Sequence, residues 1–148
     1  GLDTALDTTG YAPQSAVDRV APYVDLYLYD LKHMNSARHK QACGTPNEPI
    51  LANARHIAEL GGKLQIRIPL IPLFNDSEEN MRATATFCRE LRDAVKTVQL
   101  LPYHTLGISK YERLQYDKKV FAAEPMSDAR AEELAAYFRG EGLPVVIH

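Results

Sequence analysis

The sequence predicts an α/β fold built on a parallel sheet. Short apolar runs recur along the 148-residue chain, with turn residues at their ends and helical patterns between most of them. The runs are nearly continuous in Leu, Ile, Val and Tyr, which is typical of strands covered on both faces in a parallel sheet. Strands that alternate with helices indicate an α/β architecture with helices outside the sheet. The five runs are residues 4–7, 25–31, 64–71, 98–103 and 143–147.

Three helices are predicted between these strands from their end signals and one-sided apolar faces. One follows Asn47, with a Pro in its first turn, and stops at Gly61. Another follows the polar run at residues 76–79, which offers a cap and first-turn carboxylates, and the last opens at Ser127. Residues 109–125 show no clear periodicity and are predicted to form a surface loop.

The size and charge of the chain exclude several classes of protein. A length of 148 residues fits one domain over residues 1–148, and no apolar run approaches the roughly 18 residues of a membrane span. Lys plus Arg number 17 and Asp plus Glu 19, so nothing favours a nucleic acid or an anionic membrane as partner. Cys43 and Cys88 form no CxxC pair, which indicates neither a disulfide scaffold nor a zinc knuckle and favours the cytoplasm.

Polar residues finish or lie within four successive predicted strands. The carboxyl ends of parallel strands converge at one rim, where reactive groups gather, and groups that are costly to desolvate need partners there. Taken singly, each has a structural alternative. Asp7 could cap the turn at Gly10, and Asp30 with Lys32 could be a surface ion pair. Arg67 could neutralise a neighbouring carboxylate, and His104 could be an imidazole with ordinary hydrogen-bond partners. Jointly they predict a functional rim. Its members are Asp7, Asp30, Lys32, Arg67 and His104.

Two carboxylates, a lysine, an arginine and a histidine suit a zwitterionic, hydroxyl-rich ligand. A carboxylate accepts hydrogen bonds from an ammonium or a ribose hydroxyl, a lysine donates to a carboxylate, and an imidazole can lie beside a purine. The spacing shows no Ser-His-Asp or Cys-His arrangement and no P-loop. The pattern therefore predicts binding and does not by itself define a reaction.

Four motifs, in order and across nearly the whole chain, closely resemble the glycyl-radical enzyme activating enzymes, which include pyruvate formate-lyase activating enzyme. The motifs are ALDTTGY at 5–11, YDLKHMN at 29–35, IRIPLIP at 66–72 followed by Asn75-Asp76, and LLPYH at 100–104 followed by Leu106-Gly107 and Lys110-Tyr111. The resemblance implies about the last four βα units of a partial (βα)6 radical S-adenosylmethionine barrel.

The resemblance also implies cofactors and partners. In this family a 4Fe–4S cluster cleaves S-adenosyl-L-methionine reductively, and the resulting 5′-deoxyadenosyl radical abstracts hydrogen from a backbone glycine of a partner. That partner would be a glycyl-radical enzyme such as pyruvate formate-lyase, and an external donor such as flavodoxin would supply the electron. Carried over by motif, Asp7 would face the methionyl ammonium. Asp30, Leu31 and Lys32 would line the ribose and methionyl carboxylate, and His104 would flank the adenine.

Two further roles follow from the same resemblance. Asp7, Thr8 and Asp30 could hold a monovalent cation, because oxygen ligands suit a hard cation and its charge would relieve the repulsion between the two carboxylates. Arg67 would lie near the incoming loop that carries the glycine.

The sequence departs from the family pattern in several places. The CxxxCxxC cluster loop and a Gly-Gly-Glu segment would lie upstream of Gly1, and neither Cys43 nor Cys88 is expected to replace a cluster ligand. Leu73 stands where the family usually has Gly, and Cys43 where Thr is common, which leaves the conformation of both loops open.

Two expectations follow for the isolated chain. It is predicted to be inactive, since the chemistry belongs to a cofactor that it cannot hold, and to self-associate through an exposed sheet edge. Two other functions stay open, a non-catalytic nucleotide- or protein-binding module and a radical S-adenosylmethionine enzyme acting on a small molecule. The LLPYH string argues against the small-molecule enzyme.

Overall fold

The computed structural model describes residues 1–104 and 124–148, and in this part of the chain five parallel strands form one sheet. The strands lie in chain order, β1 next to β2 and so on to β5, and every neighbouring pair is parallel. This confirms the predicted α/β fold. The strands are β1 Ala5–Thr8, β2 Leu26–Asp30, β3 Leu64–Leu70, β4 Val95–Pro102 and β5 Val145–Ile147.

Helices connect the strands, and the three helices expected from the sequence are present. They are α3 Glu48–Glu59, α4 Glu78–Glu90 and α5 Asp128–Gly140. Ser77 and Ser127 cap α4 and α5 by accepting a hydrogen bond from the backbone N–H three residues on. Asn47 precedes α3, but its side chain makes no cap hydrogen bond; its amide donates to the carbonyls of His33 and Met34.

Two further helices, α1 Gln14–Val20 and α2 Ser36–Cys43, were not expected from the sequence. Each buries a single side chain, Val17 in α1 and His39 in α2, so neither has the apolar stripe that reveals a helix in a sequence. Asn35 caps α2 by accepting from the N–H of Arg38. The position of α2 is therefore indicated by the residue that caps it and not by hydrophobic periodicity.

The two faces of the sheet differ in burial. Side chains alternate along β3 between fully buried and partly exposed, and β2 follows the same alternation. The buried side chains join those of the helices in one core, as Tyr29, Ile66, Ile57 and Phe87 show. Residues of α1, α3, α4 and α5 belong to this core, so these helices pack against the buried face of the sheet. The expectation of strands covered on both faces therefore holds for one face only.

The partly exposed face is called here the open face. The strand register sets Asp30 beside Arg67 and Arg67 beside Gln99. Gln65, two residues before Arg67, donates a hydrogen bond of 2.8 Å to Gln99. The open face thus carries polar side chains together with apolar ones such as Leu28 and Leu101, whereas the helix-covered face is aliphatic and aromatic.

Two other sequence predictions concern the loop at 109–125 and the absence of a membrane span. Most of the predicted loop at 109–125, and residues 106–107 and 110–111 of the fourth motif, lie outside the described residues. Among the helices that are described, none is long and apolar enough to cross a membrane.

Candidate functional site

Arg67 joins two carboxylates at the carboxyl end of the sheet. Its Nε lies 2.9 Å and its Nη2 2.8 Å from the same oxygen of Asp30, and Nη2 lies 2.5 Å from an oxygen of Asp7. Arg67 and Asp30 are mostly buried, whereas the side chain of Asp7 is 64% exposed. The sequence placed these three groups at one rim, and the structure adds that one guanidinium bridges both carboxylates.

The guanidinium of Arg67 is held in its charged form. Partial desolvation lowers the pKa of Arg67, but the hydrogen bonds and opposite charges of Asp7 and Asp30 outweigh it, so the net shift is upward. A charge at this depth needs close counter-ions. Arg67 is therefore a fixed positive centre for the rim.

Lys32 supplies a second positive charge on the far side of Asp30. Its ammonium lies 3.7 Å from the Asp30 oxygen that Arg67 does not contact, and its side chain is about one-third exposed. Asp30 therefore lies between two cations, which suits recognition of a ligand that carries both charge signs. Asp7, Asp30, Lys32 and Arg67 are called the charged cluster below.

The other predicted site residues lie at the same end of the sheet with different surroundings. Leu31 is buried, and its N–H donates to the carbonyl of Arg67, so only its backbone lies along the rim. The hydroxyl of Thr8 accepts from the N–H of Gly10 at 2.9 Å, so Thr8, and not Asp7, braces the turn there. His104 follows β4 and is exposed, and the described contacts do not join it to the charged cluster.

Buried asparagines, which the sequence reading did not single out as site residues, hold the loops around the cluster. Asn75 is fully buried; its Oδ1 accepts from the N–H of Ile71 and its Nδ2 donates to the carbonyls of Lys32 and Pro69. Asn80 ties the same region to the loop before α2, since it donates to the carbonyl of Asn75 and accepts from the N–H of Met34.

A third buried asparagine, Asn53, holds the loop after β1. Its side-chain amide donates to the carbonyls of Gly10 and Ala12, at 2.8 Å each. Asn53 and Asn80 both lie inside helices, where Asn has a low intrinsic propensity. An asparagine in a predicted helix is therefore the sequence feature from which a tertiary hydrogen-bonding role could have been inferred.

The structure shows the conformation of the loop between β3 and α4, in which Leu73 stands where the family usually has Gly. Leu73 has a φ of 65°, in the left-handed region that favours glycine, and its side chain is 96% exposed. Its N–H donates to a carboxylate oxygen of Asp76 at 2.7 Å. The loop thus has a conformation that would suit the family's Gly, although a leucine occupies the position.

A cavity of about 170 Å³ extends from the charged cluster toward α2. His39 closes part of it and is buried, with its Nδ1 2.7 Å from the carbonyl of Thr45. Burial raises the pKa of the Cys43 thiol, and the nearby Lys32 charge lowers it by less. The lining residues are Thr9, Tyr11, Asp30, Lys32, His39, Cys43, Thr45 and Ile50.

The two cysteines of this chain lie on different helices, α2 and α4, and in different surroundings. Cluster ligands are thiolates, whereas burial of Cys88 on the core side of α4 raises its pKa to about 12. Cys43 lies on α2 and is exposed. Within residues 1–104 and 124–148, no group of three or more His, Cys, Asp or Glu side chains could hold a metal ion.

Comparison with known proteins gives a consistent set of relatives. No family model matches the chain. It is 40% identical over 149 residues to the choline trimethylamine-lyase activating enzyme of Oleidesulfovibrio alaskensis, covering 99% of this chain and 48% of that protein. It is 34% identical over 139 residues to the pyruvate formate-lyase-activating enzyme of Clostridium pasteurianum, covering 94% and 58%. The chain thus spans about half the length of these relatives.

Solved structures give the same result. A domain of a pyruvate-formate lyase-activating enzyme from Bacteroides vulgatus matches with a TM-score of 0.82 and 33% identity, over 99% of this chain and 81% of that one. A radical SAM methyltransferase from Sphaerobacter thermophilus matches with a TM-score of 0.69 over 97% of this chain and 39% of that one. Its identity is 20%, so this second likeness concerns the fold alone.

Proposed function

Because this chain belongs to the glycyl-radical enzyme activating enzymes, we propose that it is part of an enzyme that generates a glycyl radical on a partner protein. The family resemblance read from the four motifs is confirmed, and so is the fold, a parallel α/β segment of a radical S-adenosylmethionine barrel. The activity of the whole enzyme is a proposal, since the chain covers 48% of the relative from O. alaskensis. Its partner would be a glycyl-radical enzyme, and its reductant a flavodoxin-like donor.

The charged cluster supports this function more than any other observation. Asp30 has a cation on each carboxylate oxygen, and this arrangement can exchange partners with the ammonium and carboxylate of an amino acid. We assign Asp30, Lys32 and the backbone of Leu31 to the methionyl and ribose portions of S-adenosylmethionine, and His104 to its adenine. When bound, this cofactor supplies the hydrogen-abstracting chemistry, while the protein binds it, orients it and excludes water.

Asp7 and Arg67 have proposed roles at the outer side of the cluster. Asp7 is the most exposed of its acidic members and is available to an incoming ammonium or, with Thr8 and Asp30, to a monovalent cation. Any such cation would share these carboxylates with Arg67, which contacts both. We propose that Arg67 also meets the glycine-bearing loop of the partner.

Binding of S-adenosylmethionine to this chain can be measured by calorimetry under anaerobic conditions. We expect Lys32→Ala to weaken binding about tenfold, because a charge-assisted hydrogen bond to the methionyl carboxylate is lost. Lys96→Ala is the matched control, since Lys96 is an exposed lysine at the opposite, amino end of β4. Equal losses in the two variants, or no binding by the unaltered chain, would contradict the assignment.

We further propose that this chain alone does not cleave S-adenosylmethionine, since its described cysteines are unsuited to a 4Fe–4S cluster. The measurement is iron–sulfide reconstitution, then dithionite and S-adenosylmethionine, with chromatographic detection of 5′-deoxyadenosine. Recovery of that product from the chain alone would refute this part of the proposal. A cytoplasmic location remains a prediction from the two free cysteines.

The outer edge of β1 supports one proposal about assembly. β1 pairs only with β2 in the described sheet, which leaves its other edge unpaired. We propose that the isolated chain self-associates through this edge. Sedimentation velocity over a range of concentrations tests this, and a monomer at the highest concentration would contradict it.

A further inference from the structure

Leu73 combines two unfavourable features. A bulky side chain at a φ of 65° is strained, because Cβ approaches the following carbonyl oxygen. The side chain is also 96% exposed, so it gains almost nothing from packing within the described structure. Backbone strain that the strained side chain does not offset by packing is found at functional positions. A glycine would adopt the same backbone at lower cost.

The loop holds Leu73 in one orientation. Asp76 accepts a hydrogen bond from the N–H of Leu73 at 2.7 Å, and Arg130 donates to the carbonyl of Asp76 at 2.8 Å. The N–H groups of Phe74 and Asn75 both donate to the carbonyl of Ile71, which closes the turn. Covering the side chain therefore requires no ordering of the backbone, and only the rotamers of Leu73 lose freedom.

The loop is also attached to the charged cluster. Asn75, fully buried two residues after Leu73, donates to the carbonyl of Lys32 at 2.8 Å. Leu73 therefore lies at the carboxyl end of the sheet, on a loop that is fixed to the rim where the cofactor is proposed to bind. The loop thus borders the rim that the protein substrate is proposed to approach.

We propose that Leu73 is an anchor residue for the protein substrate and inserts into an apolar pocket on the surface of the glycyl-radical enzyme. The inference rests on the proposed function, because relatives of this chain are named for the enzymes that they activate. A single outward-facing aliphatic side chain cannot enclose a small molecule, but it fits a concave patch on another protein. Rigid apolar anchors of this kind carry much of the energy of protein interfaces.

The test uses this chain immobilised for biolayer interferometry, with purified choline trimethylamine-lyase of O. alaskensis as the probe. We expect Leu73→Ala to raise Kd about tenfold, and Leu73→Met to bind nearly as well as the unaltered chain. Leu60→Ala is the matched control: Leu60 is half exposed but has a right-handed backbone at the end of α3. Similar Kd values for Leu73→Ala and Leu60→Ala would overturn the proposal.

A thermal melt of Leu73→Ala separates docking from structure. This variant keeps the positive φ and its strain and removes only the side chain beyond Cβ, so its thermal midpoint should match that of the unaltered chain while its binding is weaker. A clearly lower midpoint would mean that Leu73 packs within the protein, which overturns the proposal. If the unaltered chain does not bind the probe, the proposed partner class fails together with the anchor. If it binds and the Leu73 variants match it, the anchor alone fails.

Discussion

Replacement of Gly10 by alanine is expected to damage the loop that follows β1. Gly10 has a φ of 72°, and a Cβ built on it would lie 1.8 Å from the hydroxyl oxygen of Tyr29 and 2.2 Å from its Cζ. Tyr29 cannot easily withdraw, because it is fully buried and its hydroxyl donates to the carbonyl of Ile50 at 2.7 Å. Asn53 also binds the carbonyl of Gly10, so the backbone is held as well.

The expected loss in free energy of unfolding has two parts, the backbone strain and the displacement of Tyr29, and a control variant separates them. Left-handed strain costs an alanine about 1–2 kcal/mol. Displacement of Tyr29 adds about 1–3 kcal/mol of overpacking, and loss of its hydrogen bond leaves a buried carbonyl unpaired at about 1–3 kcal/mol more. Gly44 has a φ of 81° with no atom within 4 Å of its Cβ position, so Gly44→Ala has the strain alone. We expect about 3–8 kcal/mol for Gly10→Ala and about 1–2 kcal/mol for Gly44→Ala.

Urea unfolding followed by far-ultraviolet circular dichroism measures both losses, with the slope m as a check that the denatured state is unchanged. A loss of the larger size would remove a large share of the 5–15 kcal/mol of a typical domain, so Gly10→Ala could be unfolded without urea. Equal free energies of unfolding for the two variants would refute the reasoning, since the contact with Tyr29 would then contribute nothing.

Two more predictions concern groups whose titration is altered by burial. Burial raises the pKa of Cys88 to about 12, whereas Cys43 is exposed. A thiol reagent at pH 8 should therefore modify Cys43 first and Cys88 only after denaturant is added. Modification of both cysteines at equal rates without denaturant would refute this. Burial, and next the charge of Arg38, lower the pKa of His33 below its usual 6.5. The unfolded chain therefore binds the proton more readily than the folded chain does. As the pH falls from 6.5 to the lowered pKa of His33, the free energy of unfolding should decrease, by at most about 1.4 kcal/mol per pH unit. Thermal melts of His33→Asn should lose that part of the pH dependence, and an unchanged profile would contradict the assignment.

The sequence located all five strands of the described sheet and three helices because their apolar patterns are local. The runs that became β3 and β4 are long and strongly apolar, and α4 and α5 have both a serine cap and a buried stripe. Helices α1 and α2 were missed because each buries only one side chain. Pattern reading detects burial, so it loses an element that buries little.

The site was predictable as a group of residues but not as an arrangement. Motifs and strand ends singled out Asp7, Asp30, Lys32 and Arg67 without the knowledge that Arg67 would contact both carboxylates. The buried Asn75 lay within a recognised motif, yet its bond to the carbonyl of Lys32 spans 43 residues of sequence. Such partners depend on loop paths that no local pattern encodes.

By itself, the sequence determined the α/β class, the polar residues at the strand ends and the family resemblance. The tertiary structure alone decided that the strands lie in chain order with the helices on one face, which leaves the open face for Asp30 and Arg67. It also decided that Leu73 has a left-handed backbone and is directed into solvent. Strand register and loop conformation arise from contacts between residues far apart in the chain, whereas hydrophobic periodicity records only which residues are buried.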